Sequence, residues 1–116
     1  MHLLSIFILF VLFGHAQSRA QSTGGRISVF SPQEPFYVYV NDVLYNERAT
    51  RQVSITDLKD AAYNLRVEFE GRTRRSMNLN GIQVFNENGA ALDLTYSISN
   101  QSRTGSKLFL FSMFPV

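Results

Sequence analysis

The sequence predicts an all-β fold, a small antiparallel β-sandwich of about seven strands. Three features of the chain after residue 20 favour it. Short runs rich in β-branched and aromatic residues recur, the runs alternate apolar with polar positions, and Asn, Asp, Gly and Pro separate them every 8–12 residues or so. Helical periodicity of any length is missing from this part of the sequence. A small closed barrel is the alternative architecture.

The first strands are short and are separated by strong turn signals. A strand over Arg26–Ser31 stops at Pro32, and a second follows over Phe36–Val40. The dipeptide Asn41-Asp42 then predicts a two-residue turn into Val43–Tyr45, because both residue types accept the left-handed backbone that tight hairpins need.

The middle of the chain predicts a third strand run, one helical turn and a strand with a wet face. The run is Gln52–Thr56, and Asp57 is placed to cap a turn of helix over Leu58–Ala62. From Tyr63 to Glu70, apolar and polar residues alternate without interruption. That alternation predicts a strand with one face in the core and the other in water.

The second half continues the pattern to the last residues. Apolar positions between Met77 and Val84 change register at Asn80-Gly81, which is compatible with a bulge or a tight turn. Asn88-Gly89 predicts a turn into a strand over Leu92–Ile98. A polar loop is expected over Asn100–Ser106, followed by a last strand over Lys107–Phe114 that is apolar on both faces.

The first twenty residues have the pattern of a cleavable signal peptide. Leu3–Phe13 is almost uninterruptedly apolar but too short to span a bilayer, and small-residue cleavage sites follow at Ala16 and Ala20. We therefore expect a signal peptide over residues 1–20, a flexible lead-in over 21–25 and one domain over 26–116. The mature chain is expected to be exported to the periplasm or the cell surface, with no stable membrane span.

Composition excludes several function classes for the mature chain. The sequence has no cysteine, and both of its histidines, His2 and His15, lie in the segment expected to be removed. The mature chain would then lack histidine and cysteine, which are the usual transition-metal ligands, and histidine is also the commonest general base. We therefore expect no metal, no cofactor and no enzymatic activity. Loss of Arg19 leaves ten basic against nine acidic residues, which is too near neutrality for a nucleic-acid partner.

Five segments carry a resemblance to a known family. They are residues 27–31, 35–43, 53–58, 63–70 and 108–116. Together they resemble PEGA-like, Ig-like β-sandwich modules, and more closely the N-terminal β-domain of exported Bacteroidetes proteins of unknown function (DUF4476-type proteins). Many such proteins continue into a C-terminal domain, which we expect this chain to lack at Val116. The resemblance implies an envelope-associated accessory module and assigns no site residue.

Three groups of residues are candidate contacts. Tyr37 and Tyr39 share one face of their strand and form either an open aromatic platform or part of the core, and we favour core or partial burial. The basic cluster of Arg72, Arg74 and Arg75, near Arg66, is compatible with an acidic partner or with protection of a strand edge. The last strand must cover its second apolar face, and Phe109 and Phe111 are the candidates there.

Two further patterns have simple structural explanations. Glu68 and Glu70 lie about 7 Å apart on one strand face, a spacing that glycosidases use, but alternating charge is typical of a solvated face. The five residues Asp57, Asp60, Asn86, Glu87 and Asn88 offer oxygen ligands for calcium, yet turn formation accounts for all of them.

The sequence thus favours a non-enzymatic module that binds an envelope protein or a glycan. The alternative is an assembly subunit of an envelope complex that associates through an edge strand. The oligomeric state stays open.

Overall fold

The computed structural model describes residues 24–70, 76–102 and 105–116, without the side chains of residues 100–102 and 105. Within these ranges the chain is all-β and holds no helix. It forms two four-stranded sheets, which confirms the predicted β-sandwich with one strand more than the seven expected. The strands are β1 (Gly25–Phe30), β2 (Phe36–Val40), β3 (Val43–Leu44), β4 (Gln52–Leu58), β5 (Ala62–Phe69), β6 (Ser76–Gln83), β7 (Leu92–Ser102) and β8 (Gly105–Pro115).

The two sheets divide the strands in a way that leaves β8 at an edge. Sheet A has the order β4-β1-β7-β8, and sheet B has the order β3-β2-β5-β6. Strand pairs in the described ranges are antiparallel except for β1 with β7, which run parallel. Sheet A is therefore a mixed sheet, and β1 and β7 are its two central strands.

Alternating side chains build the core between the two sheets. The four residues of β5 predicted to face inward, Tyr63, Leu65, Val67 and Phe69, are all buried, which confirms that pattern. Phe36 and Val38 of β2, the neighbour of β5 in sheet B, are completely buried. Ile27 and Val29 of β1, in sheet A, are completely buried as well. Each such side chain contributes roughly 1.5–3 kcal/mol by leaving water, so this interior supplies most of the stability of the domain.

Three turn signals in the sequence do what their residue types predict. Asn41 and Asp42 both have positive φ, 49° and 66°, and join β2 to β3 as a two-residue hairpin. Gly89 has φ 80° and donates its N–H to the carbonyl of Asn86, closing the turn before β7. At Gly81, φ is 71° and the β5–β6 register shifts, so the bulge is the correct choice at Asn80-Gly81.

The predicted helical turn after Asp57 is wrong. Strand β4 runs on through Leu58, which is buried and lies opposite Gly25 of β1. Asp57 has φ 61° and sits in a bulge instead of capping a helix, since Thr56 and Asp57 together face the single residue Arg26.

Two boundaries also differ from the sequence prediction. Gly25, expected in a flexible lead-in, is the first residue of β1. β7 extends to Ser102 and β8 begins at Gly105, so most of the loop expected over residues 100–106 is strand. The long β7–β8 pair that results determines where the candidate surface lies.

Candidate binding surface

Strand β8 forms an edge of sheet A along its full length. It pairs with β7 from Ser102 opposite Gly105 to Leu92 opposite Pro115, and the N–H of Val116 donates to the carbonyl of Ala91 at 2.8 Å. On its other side, β8 pairs with no described strand. A long edge strand of this kind offers its backbone to another strand.

Apolar exposure in the described residues concentrates on this strand. Nine large hydrophobic side chains are exposed in the described part of the chain, and six of them lie in residues 109–116. Single exposed apolar residues are normal on a protein surface, whereas a contiguous group of this size is typical of an interaction site. The six are Phe109 at 46%, Leu110 at 46%, Phe111 at 64%, Met113 at 55%, Phe114 at 62% and Val116 at 54%.

Both faces of β8 are apolar, as the sequence predicted. Leu110 and Met113 lie opposite the core residues Tyr96 and Leu94, so they point to the core side of sheet A, yet each is about half exposed. Phe109 and Phe114 lie opposite outward-facing residues of β7. Sheet B therefore does not fully cover the core side of β8, and nothing described covers its outer side.

An aromatic pair extends the surface onto β1. The β7–β8 register shifts between Thr95 and Tyr96, so Phe111 is the extra residue of a bulge. Its ring packs edge-to-face on Phe30, with the centroids 5.3 Å apart and the planes at 89°. Such a pair contributes about 0.5–1.5 kcal/mol beyond its buried area, so Phe111 is held in place although it is exposed.

Ser97 of β7 shows how closely the rings cover the outer face of sheet A. Its Cα partners are Phe30 on β1 and Phe109 on β8, and it is only 6% exposed although it faces outward. We call Phe30 together with the six exposed residues of 109–116 the β8 surface.

A second candidate surface lies on the outer face of sheet B. Tyr37 and Tyr39 are half-buried there, which agrees with the partial burial expected. The Arg66 guanidinium stacks 4.2 Å from the centre of the Tyr39 ring. Arg66 Nη1 also donates to Asp42 Oδ1 at 2.9 Å. Arg66 Nε is buried 3.1 Å from Glu68 Oε2, an ion pair that lacks hydrogen-bond geometry.

This arrangement limits what the tyrosine face can bind. Arg66 occupies one face of the Tyr39 ring, so Tyr39 has at most its other face for stacking on a sugar. The Arg66 charge is balanced by two carboxylates on the same surface. Glu68 holds one of those positions, which matches its interpretation as part of a charged, solvated strand face.

The structure does not bring the predicted contact residues together. Tyr37 and Tyr39 lie on the outer face of sheet B, while Phe109 and Phe111 lie on sheet A at the opposite side of the sandwich. The predicted cluster of Arg72, Arg74 and Arg75 lies outside the described residues. The sequence prediction missed Phe30, although its place next to the inward-facing Val29 puts it on the outer face by simple alternation.

The predicted calcium ligands are dispersed and engaged in turns. Asn86 Oδ1 accepts the N–H groups of Asn88 and Ala90, both at 2.9 Å, and Asp57 lies 3.9 Å from Lys59 Nζ. In residues 24–70, 76–102 and 105–116, no three His, Cys, Asp or Glu side chains group as metal ligands. A cleft of about 440 Å³ lies between the Asn86 turn and Met113 of β8.

In the described part of the chain, no helix has the length and apolar character needed to cross a membrane. Comparison of the chain with protein-family models, with curated proteins and with solved structures finds no significant match.

Proposed function

We propose that the mature chain is an exported, non-enzymatic β-sandwich module that acts by binding another protein of the cell envelope through the β8 surface. One observation supports this proposal above the others, which is the concentration of exposed apolar side chains on a single edge strand. The export half of the proposal rests on the signal-peptide pattern of residues 1–20.

Strand addition is the binding mode that β8 suits best. An added strand pairs with the edge through backbone hydrogen bonds, and its side chains flank both faces of the extended sheet. Packing a partner against the outer face alone would cover Phe109 and Phe114 but leave Leu110 and Met113 in water. A strand that pairs with β8 covers both groups at once.

The chemistry of the β8 surface favours a protein partner over a glycan. Lys107 is the only charged residue in β8, and the hydroxyl of Ser112 is the only polar side chain between Leu108 and Phe114. Glycan sites need several polar groups to replace the hydrogen bonds that sugar hydroxyls make with water. Aromatic side chains without such groups are typical of the centre of protein interfaces.

Site-specific photo-crosslinking in the producing cells tests the proposal. A benzophenone-bearing amino acid replaces Phe114 on the β8 edge, and in a matched variant it replaces the exposed Thr56 on β4, the opposite edge of the same sheet. We expect a discrete protein adduct from position 114 and none from position 56. The adduct should disappear when Leu110→Lys is added, because a charged side chain would then have to be buried against the partner.

Two results would overturn the proposal. One is the absence of any adduct at position 114 in cells that export and accumulate the chain. The other is binding of an envelope glycan that Tyr37→Ala abolishes and Leu110→Lys leaves unchanged, since that would place the function on the outer face of sheet B.

A further inference from the structure

We infer that the strand added to β8 is β8 of a second copy of this chain, in antiparallel orientation, so that two copies of sheet A join into one eight-stranded sheet. This inference rests on the proposed function and names its partner. It commits to a closed dimer with a two-fold axis, in which the same surface is used by both copies.

The exposed area is sufficient for a dimer. A fully exposed phenylalanine presents roughly 200 Å² and aliphatic side chains somewhat less, so the exposed fractions of the six residues give about 600 Å² of largely apolar surface per copy. Complete burial of this surface in two copies would remove at most about 1,200 Å² from water, the lower end of specific protein interfaces. The same area is at the upper end of the largest apolar patch that monomers ordinarily leave exposed.

A partner for β8 must itself be apolar on both faces. Of the four edge strands, β4 exposes the polar residues Gln52, Ser54 and Thr56, and β6 exposes Ser76, Asn78 and Asn80. The edge strand β3 is apolar on both faces but has only two residues, so β8 is the longest described edge strand that meets this requirement. A second β8 brings Leu110 and Met113 for the core side and three phenylalanines for the outer side. It therefore supplies apolar side chains on the same two faces that need them.

The bulge at Phe111 selects the register. Phe111 contacts the outward-facing Phe30, and Ser112 lies opposite the outward-facing Thr95, so these two neighbours both face outward. A two-fold axis between Phe111 and Ser112 then keeps like faces together. It places Phe109 opposite Phe114 of the other copy and Leu110 opposite Met113, within the 4.5–5.5 Å at which cross-strand side chains interact.

Charge favours the antiparallel orientation over a parallel one. In a parallel pair in register, the two Lys107 side chains would be neighbours about 4.8 Å apart along the hydrogen-bonding direction. In the antiparallel pair they are separated by nine residue steps, about 31 Å at 3.4 Å per residue. The single charge of β8 therefore favours the antiparallel pair over the parallel pair in register.

Solution mass provides the first test. The chain from Gln21 onward contains every described strand, and light scattering after size-exclusion chromatography should give twice its monomer mass. Leu110→Lys should halve that mass while far-ultraviolet circular dichroism stays that of the parent, because Leu110 is half exposed and tolerates a polar residue in the monomer. A control, Thr56→Lys on β4, should remain dimeric.

Engineered cysteines test the register, on a sequence that has no cysteine of its own. Two Ser112 Cα atoms would lie about 6 Å apart across the axis, within the 4.4–6.8 Å range of disulfides. The two Ser106 Cα atoms would lie about 37 Å apart. Under mild oxidation, Ser112→Cys should therefore form a covalent dimer in near-complete yield and Ser106→Cys should not.

The outcomes separate this inference from the proposed function. A monomer at all concentrations overturns the dimer, while an adduct of Phe114 with a different protein would leave the proposed function standing. Cross-linking of Ser106→Cys in preference to Ser112→Cys overturns the antiparallel register. A dimer that Leu110→Lys does not dissociate overturns the role of β8. A monomer without any adduct at position 114 removes both proposals.

Discussion

The two edges of sheet A differ in length and in the side chains that they expose, although each contains a bulge. β4 has seven residues and exposes Gln52, Ser54 and Thr56. β8 has eleven, and its exposed side chains are phenylalanine, leucine and methionine. Because the two edges belong to one sheet, the difference does not come from the architecture. It comes from the residues placed on each edge.

The β4 edge carries the devices by which natural sheets avoid edge-to-edge pairing. Asp57, at φ 61°, sits in a bulge that bends the strand, and Lys59 follows it with a charge of opposite sign. Gly24 permits the bulge to approach closely, since a Cβ at position 24 would lie 2.6 Å from the Asp57 backbone. These features make β4 a poor template for another strand.

Sheet B protects β2 in a different way, with a side chain that replaces a neighbouring strand. Asn46 Oδ1 accepts the N–H of Val38 and its Nδ2 donates to the carbonyl of Phe36, each at 2.8 Å. Thr50 exchanges two further backbone hydrogen bonds with Phe36. β4 and the part of β2 that extends past β3 are therefore protected by two different mechanisms, whereas the exposed side chains of β8 are mostly apolar.

The largest expected effect comes from giving β4 the character of β8. In Gln52→Phe/Thr56→Phe, each copy has an apolar residue pair on both edges of sheet A, so association no longer closes at a dimer. We expect the weight-average mass from light scattering to rise severalfold above that of the parent and to increase with protein concentration.

The matched control for that variant keeps the same positions polar. Gln52→Thr/Thr56→Ser should have the mass of the parent, because it retains the Asp57 bulge and adds no apolar area. If the phenylalanine variant also keeps the parent mass, the bulge alone protects β4 and the comparison of side chains is wrong.

The next largest expected effect is a loss of stability on substitution of Gly24, which packs against the β4 bulge. In Gly24→Ala the new methyl group would lie 2.6 Å from Asp57 Cα and C and 2.7 Å from Leu58 N. All three are backbone atoms, which cannot rotate away, so the strand pair must shift. We expect the free energy of unfolding, measured with urea, to fall by about 1–3 kcal/mol, the usual cost of overpacking.

Gly89→Ala separates this steric effect from backbone strain. A Cβ at position 89 meets nothing within 4 Å, but φ is 80° there, so the substitution carries only the left-handed penalty of about 1–2 kcal/mol. The two variants should also differ in kind. Gly24→Ala should speed hydrogen exchange in β4, and Gly89→Ala should not; equal exchange in β4 for both would contradict the anchoring role of Gly24.

The sequence was sufficient for features that depend on neighbouring residues. Alternation located the core side of β5, because it requires only the local side-chain pattern. Asn41-Asp42 located a hairpin and Asn88-Gly89 a turn, and Asn80-Gly81 located a register change without deciding between a bulge and a tight turn. The helical turn predicted after Asp57 was wrong because β4 continues through Leu58, which pairs with Gly25 of β1. Gly25 is distant in sequence, so this tertiary pairing, which overrides the local capping signal, was not visible from the residues around Asp57.

The candidate site was predictable in composition but not in position. The apolar residues of 107–114 were evident, yet a strand apolar on both faces is equally typical of the centre of a sheet. Only the strand order places β8 at an edge, and that order depends on the parallel pairing of β1 with β7. The contact of Phe30 with Phe111 depends on the same pairing, which explains why the sequence missed it.

The smallest effect tests how well β8 covers its neighbour β7. Burial raises the pKa of the Tyr96 phenol above its ordinary value of 10.0, and Tyr96 lies opposite Leu110 of β8. A folded-state pKa above the unfolded one stabilises the protein fully below about pH 10, and this contribution is lost as the pH rises through the folded-state value. The free energy of unfolding should therefore decline above about pH 10, and the decline should be smaller in Tyr96→Phe. Between about pH 6 and pH 8 the two proteins should show parallel pH dependence, since the phenol is protonated in both states there.

A second variant, Leu110→Lys, tests whether β8 is what buries Tyr96. Removal of the Leu110 side chain exposes Tyr96, so the decline in unfolding free energy above about pH 10 should become smaller, as in Tyr96→Phe. An unchanged alkaline decline would mean that β8 contributes nothing to the burial of Tyr96.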